Sequence, residues 1–298
     1  MINIENLQKS YSGIEPVLNI KNLKLNENKI YGLVGPNGSG KTTLFKCMTN
    51  IITDYKGVVN INGNNPKENP STLSIVGLVL DGMNVYHNRT GIFNIKYFSG
   101  LKGQYNKEKI DYLAEKLKIK DVLNKKVSMY SYGMKKKLIL LIALMNSPKI
   151  LLMDEPFRRL DLETVDFFKN YLKELHSEGL TLVISSHILE ELENFCQEVI
   201  VLNQGKLNKI LSIEEIKMQE LRVINTTDNS RVEEILSIYS IPYNIVGTGI
   251  KVDIKDSKWE EVYKEISSNG IMISSMEDVS TLKESINSTL RGGNRSEF

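Results

Sequence analysis

The chain has 298 residues, room for about two domains. Its 38 basic and 36 acidic residues leave a net charge of +2, too small to argue for nucleic acid or an acidic lipid surface as partner. Two cysteines, Cys47 and Cys196, exclude a disulfide scaffold and a cysteine-built zinc site, and fit a reducing compartment. MINIENLQKSYSG at the start lacks an apolar signal region, and the longest apolar run, LILLIALM, is far short of the roughly 18 residues of a membrane span. The expectation is a soluble, cytoplasmic protein.

Along the chain, INIENLQKSY and VLNIKNLKL alternate like strands, with turn residues at Ser12-Gly13 and Asn26-Glu27-Asn28. KIYGLVG is a short apolar run that ends in glycines, and KTTLFKCMTNII follows with helical spacing. The turn-rich NINGNNPKENP precedes another apolar strand, SIVGLVL. From about residue 82 to 148 the pattern becomes helical, in GIFNIKYFSGLK, KEKIDYLAEKLK and MKKKLILLIALM. Strands and helices then alternate: KILLMDEP, VDFFKNYLKELHSEG, LTLVISSH, ILEELENFCQ, EVIVLNQG. This alternation predicts a mostly parallel α/β sheet with the helical block inserted into it. Beyond it, LRVINT, RVEEILSIY, a hairpin in YNIVGTGIKVDI, SKWEEVYKEISSNG, IMISSM and a helix over EDVSTLKESINSTL give a βαββαβ order. That order predicts a small ferredoxin-like α+β module. The boundaries read as 1–215, 216–290 and a disordered tail at 291–298.

The strongest chemical signal is GPNGSGKT, Gly35 to Thr42, between a predicted strand and a predicted helix. Glycines there let the backbone curl so that successive N–H groups point at phosphate oxygens, at the positive end of a helix. Lys41 can reach the β- and γ-phosphates, and the Thr42 hydroxyl can ligate Mg²⁺. The candidate nucleotide-binding set from this stretch is Gly35, Asn37, Gly38, Ser39, Gly40, Lys41, Thr42 and Thr43. Downstream, ILLMDEP ends a strand with Asp154, a candidate Mg²⁺ ligand, and Glu155, which can deprotonate an attacking water. His187 ends the next strand, in VISSH, where it can reach the γ-phosphate.

Read together, the phosphate loop, a helical block ending in Ser-x-Gly, LLMDEP, RRLD and SSH resemble the nucleotide-binding subunits of ABC transporters over roughly residues 1–215. The resemblance implies a P-loop NTPase fold that hydrolyses ATP with Mg²⁺. YSYGM takes the place of the family's LSGGQ signature, so Ser131 and Gly133 are implied to bind the γ-phosphate of ATP held by a second copy. Tyr11 matches the aromatic that stacks on adenine, and Asp161 the aspartate that communicates between protomers. Before that match, YSYG reads simply as a helix start capped by Ser131.

Four residues at three places depart from the family pattern. Asp81 stands where a Mg²⁺-touching glutamine is usual, and an aspartate can still ligate a hard cation. The bacitracin-resistance and lantibiotic-immunity branch is similar in having a carboxylate there, followed by a tyrosine and Asn-x-Thr-Gly, here Tyr86 and Asn88 to Gly91. Tyr130 replaces a leucine of the signature and Tyr132 a glycine; the glycine replacement leads us to expect a slower or more partner-dependent ATPase. Arg159 replaces a glycine before Leu-Asp, either as a new contact or as a solvated side chain.

The function expected from the resemblance is an ATPase subunit driving an ABC-2 type exporter of an antimicrobial peptide, drug or lipid-like substrate. Two copies would close on ATP, and an integral-membrane permease would hold them at the inner face of the cell membrane. An importer subunit and a non-transport ABC-type ATPase are the alternatives. Nucleic acid is not an expected partner. A chromosome-maintenance ATPase of the superfamily would need a long coiled-coil insertion, and a ribosome-acting factor a second phosphate loop.

Overall fold

The computed structural model describes residues 1–11, 15–101 and 105–292. The predicted turn at Ser12-Gly13 and the last residues of the predicted tail, 293–298, lie outside them. The chain divides into two compact units, Met1–Ile210 and Leu211–Phe298.

In the first unit, β1 (Ile2–Lys9) and β2 (Leu18–Leu25) share one alternating burial pattern and pair antiparallel from Ile2↔Leu25 to Lys9↔Leu18. One face therefore meets the core and the other faces solvent. A third strand, β4 (Lys56–Ile61), pairs with the other edge of β1. The sequence reading left β4 out, because Lys56, Gly57 and Val58 are exposed and only Val59 and Ile61 are buried. Two inward residues are too few for alternation to register.

A six-stranded sheet has the order β5 (Val76–Val79), β6 (Ile150–Asp154), β7 (Thr181–Ser185), β3 (Ile30–Val34), β8 (Glu198–Asn203) and β9 (Lys206–Ser212). The β5–β6, β6–β7, β7–β3 and β3–β8 pairs are parallel. β3, β6 and β7 are buried along their whole length, which explains why they read as continuous apolar runs. β9, absent from the sequence reading, returns beside β8 through Gln204-Gly205, both at positive φ, as a two-residue hairpin requires. Its residues are mostly half-buried or exposed, so no apolar run marks it.

α1 (Lys41–Met48) packs Leu44, Phe45 and Met48 between the two sheets, against Leu7, Leu18 and Ile20 and against Leu33, Leu152 and Ile200. Burying a side chain of Phe45's size contributes roughly 1.5–3 kcal/mol. Between β5 and β6 comes the helical block, α2 (Gly91–Leu101), α3 (Lys107–Lys116) and α4 (Tyr132–Leu144). α4 packs on α2, α3 and β5, with Leu138, Leu140, Leu141 and Leu144 buried. α5 (Leu162–Ser177) and α6 (Leu189–Glu193) follow β6 and β7. The outcome is the P-loop α/β architecture expected from the strand–loop–helix order, with its antiparallel strands and inserted helices.

The second unit opens with α7 (Ile213–Lys217). It then runs β10 (Leu221–Thr226), α8 (Asn229–Ile238), β11 (Tyr243–Val246), β12 (Gly249–Asp253), α9 (Trp259–Ser268), β13 (Ile273–Asp278) and α10 (Thr281–Gly292). Its sheet order, β11-β12-β10-β13 with every pair antiparallel, is the ferredoxin-like arrangement. Ile224, Ile250 and Val252 of the sheet meet Val232, Leu236, Val262 and Ile266 of α8 and α9 in a core of its own. The unit division falls at Leu211, where the sequence reading had 216, and the end of the last strand differs as well. Glu277 and Asp278 belong to β13, paired with Val223 and Arg222, and the last helix starts only at Thr281. Strand pairing outweighs the helical preference of the acidic residues there.

Candidate nucleotide site

The phosphate loop leaves the end of β3, the strand flanked by β7 and β8, and enters α1 at Lys41. In a parallel sheet the carboxyl ends of neighbouring strands converge, so β6 and β7 deliver Asp154, Glu155 and His187 to the same edge. A cleft of about 460 Å³ opens there, lined by Asn37 to Thr43, Asp81, Asp154, Glu155, Arg158, His187 and Val17. Eleven residues nominated from sequence thus share one cavity. Tyr11, Gly35, Ser131, Gly133 and Asp161 are not part of its lining.

The loop has the conformation that its glycines permit. A side chain at Gly35 would strike the Leu202 carbonyl at 2.1 Å and Ser39 Oγ at 2.6 Å. Gly40, the residue before α1, sits at φ +99°, and no side chain caps the helix. The first N–H groups of α1 are therefore free of side-chain partners and carry the helix's positive end. Ser39 Oγ is buried without a hydrogen-bond partner, a polar atom that a phosphate oxygen would satisfy. Lys41 Nζ donates to the Gly35 and Pro36 carbonyls at 2.7 and 3.1 Å. Burial pushes its pKa down, opposed by the nearby carboxylates of Asp154 and Glu155.

Thr42 Oγ1 donates to Asp154 Oδ2 at 2.5 Å, and Ser185 Oγ donates to the other oxygen, Oδ1, at 2.5 Å. Ser185 Oγ in turn accepts the Glu155 N–H at 3.0 Å, so one buried hydroxyl ties β7 to both carboxylate residues. Thr42 and Asp154 together present a hard oxygen pair that would suit Mg²⁺. Glu155 takes φ +48°, and its Oε2 lies 2.8 Å from His187 Nδ1. The Glu155 carboxylate is largely buried while the imidazole is exposed. Tyr11 is exposed, with its hydroxyl 3.4 Å from Thr43 Oγ1 and Lys9 Nζ 4.7 Å from the ring centre.

Ser131 caps α4, its Oγ accepting the Met134 N–H at 3.2 Å. A Cβ at Gly133 would meet nothing closer than 4.0 Å, and the residue is not at positive φ. Neither packing nor backbone conformation demands glycine there. Asp161 caps α5 through the Thr164 N–H and hydroxyl, at 2.9 and 2.6 Å, and pairs with Lys137 at 3.3 Å. These contacts, the Thr164 hydroxyl first, hold its carboxyl well below the ordinary range.

Three positions that the sequence reading passed over take part. Ser185 looked like one residue of a strand end. Lys136 is buried, its Nζ donating to the carbonyls of Glu155 and, at 3.4 Å, Arg158; burial lowers its pKa. Within KKK nothing but helical phase separates Lys136 from its half-buried neighbours. Arg158 lines the cleft and pairs with Asp81, guanidinium to Oδ2, at 3.5 Å. The other Asp81 oxygen lies 3.4 Å from the Tyr132 hydroxyl, and Arg159 covers the Tyr132 ring at 5.0 Å. All the departures but Tyr130 thus form one cluster. Tyr130 packs separately, its hydroxyl donating to the Val122 carbonyl at 2.6 Å.

A family model described as ABC transporter matches residues 18–158. The bacitracin transport ATP-binding protein BcrA of Enterococcus faecalis is 32% identical, over 98% of this chain and 97% of that protein. The lantibiotic transport ATP-binding protein SrtF of Streptococcus pyogenes is also 32% identical, over 70% of this chain and 89% of that protein. Among solved structures, a dimeric ATP-binding cassette in a post-hydrolysis state, bound to ADP and Pi, superposes with a TM-score of 0.64 at 25% identity, covering 72% of this chain and 99% of that one. The ATP-binding subunit of an ABC transporter superposes with a TM-score of 0.66 at 18% identity, over 89% and 99%, a likeness of fold. The chain therefore belongs to the ABC transporter family, as an ATP-binding and ATP-hydrolysing subunit.

Proposed function

We propose that this subunit powers an exporter, with two copies closing on ATP and an integral-membrane permease receiving the motion. The observation that carries the direction is the BcrA alignment, which runs through the second unit and well past the residues matched by the general family model. A bacitracin- or lantibiotic-like antimicrobial peptide is the cargo class that these relatives suggest.

In this reading the amides of Asn37 to Thr43 cradle the phosphates and Lys41 neutralises them. Thr42 and Asp154 would hold Mg²⁺; Asp81, nominated from sequence as a further ligand, instead has its two oxygens toward Arg158 and Tyr132. Mg²⁺, when bound, draws charge from the β- and γ-phosphate oxygens. Glu155 takes the proton of the attacking water, oriented by His187 at 2.8 Å. Tyr11 offers an exposed ring to adenine. Ser131 still has its own hydroxyl proton to donate to a partner copy's nucleotide, and the open backbone at Gly133 supports a close approach of phosphate. Asp161 links the copies.

An exposed aromatic group supports a membrane partner. Tyr86, Phe93 and Tyr97 are exposed, with ring centres 5.1 to 6.2 Å apart, and Met83 and Leu101 are exposed nearby in sequence. Such a patch on the helical block marks an interaction surface. No helix among the described residues is long and apolar enough to cross a membrane, so the permease supplies the span and holds this subunit at the inner face of the cell membrane.

The test is reconstitution with the membrane protein encoded beside it. We expect stimulated ATPase activity and ATP-dependent accumulation of substrate inside inverted vesicles. Accumulation in right-side-out vesicles only, with ATP trapped inside, would instead make the subunit part of an importer.

A further inference from the structure

Three carboxylates, Asp81, Asp154 and Glu155, line the cleft among the described residues, with only Lys41 and Arg158 as permanent cations. A nucleoside triphosphate would add a polyanion to that wall, and Lys41 is placed at the root of the loop, on the Gly35 and Pro36 carbonyls. Arg158 is therefore the other strong cation of the lining. Its backbone is anchored. The Arg158 N–H donates to the Glu155 carbonyl at 3.4 Å, and the buried Lys136 amine holds the carbonyls of both residues. Its side chain is not anchored to the same degree. It is half-exposed and meets Asp81 at 3.5 Å through one nitrogen, which leaves most of the five guanidinium donors unused.

We propose that Arg158 is a specificity-determining residue, which engages the terminal phosphate of a nucleoside triphosphate bound in its own protomer, with Asp81 as the positioning residue that aims it. The inference rests on the reading of this cleft as the ATP site. It gives the Asp81 departure a physical reason, because an aspartate can orient a guanidinium by charge where a neutral side chain cannot. It also makes the site distinguish triphosphate from diphosphate before any partner copy arrives, since a diphosphate lacks the group that Arg158 would touch.

The experiment is equilibrium binding of a non-hydrolysable ATP analogue and of ADP, with Mg²⁺, to the full chain and to Arg158→Met, Arg158→Lys, Asp81→Asn and the Asp81→Asn/Arg158→Met pair. Arg158→Met is expected to weaken the triphosphate about tenfold and ADP by less than about twofold, the size of one charge-assisted contact. Arg158→Lys should recover part of that loss, and a thermal unfolding curve on each variant separates misfolding from lost contact. Equal losses for both nucleotides, or none, overturn the proposal. Full recovery in the Asp81→Asn/Arg158→Met pair overturns it too, because Arg158 would then only neutralise Asp81. Lys41→Ala serves as the reference: if it left both nucleotides bound normally, the cleft reading itself would fail, independently of Arg158.

Discussion

At the scale of single residues, Glu155 and Arg159 show how a left-handed backbone is used. Both take positive φ, +48° and +62°, which costs a non-glycine residue on the order of 1 kcal/mol. For Glu155 the strain accompanies a carboxylate set against His187. Glu155→Gln should therefore lower hydrolysis by at least about 100-fold while ATP still binds, and in ATP it should accumulate as a dimer measurable by light scattering. Retained turnover would remove the base assignment. For Arg159 the same φ explains why glycine is the usual occupant, and the guanidinium over Tyr132 partly offsets the cost. Arg159→Gly should leave the melting temperature unchanged or raise it, and it frees Tyr132. Tyr132→Gly, which removes the contact with Asp81, should raise the basal ATPase rate, and an unchanged rate would count against a restraining role. Cys47 gives a simpler test. Burial pushes its thiol up to about 11, so the folded chain should resist a thiol reagent at pH 8 and react only on unfolding.

Among the elements, caps set the helices that carry chemistry. Asp161 satisfies the first turn of α5, so Asp161→Ala should cost about 1 kcal/mol in a denaturant titration, whatever it does to coupling between copies. Its pKa is depressed in the fold, so its contribution is full above the ordinary value of 3.8 and is lost as pH falls below it. Stability should drop on acidification in that window, and Asp161→Asn, which keeps a cap, should flatten the drop. Ser131 shows that a cap and a phosphate-facing hydroxyl can be one atom. That is why YSYG alone did not reveal which purpose applies. The long periodic elements α3, α4 and α5 and the buried strands β3, β6 and β7 were legible because each has a whole face, or both faces, in the core. β4 and β9 were not, since these two edge strands, unlike β2 and β5, bury too few side chains to impose a period on the sequence.

For the molecule as a whole, the second unit has its own sheet, helices and core. Residues 211–292 expressed alone should unfold in one cooperative transition, seen by circular dichroism, and a featureless melt would contradict an independent core. Composition, the strand–loop–helix run at GPNGSGKT and the spacing to LLMDEP and SSH established the α/β class and the nucleotide chemistry from the sequence alone, because a phosphate cradle needs small residues and a cation in one continuous stretch. Only the tertiary structure joined Asp81, Tyr132, Arg158 and Arg159, and placed Lys136 beneath the Glu155 turn. Those residues come from three separate segments. No local periodicity encodes which strand end, helix start and loop the parallel sheet will bring to one edge.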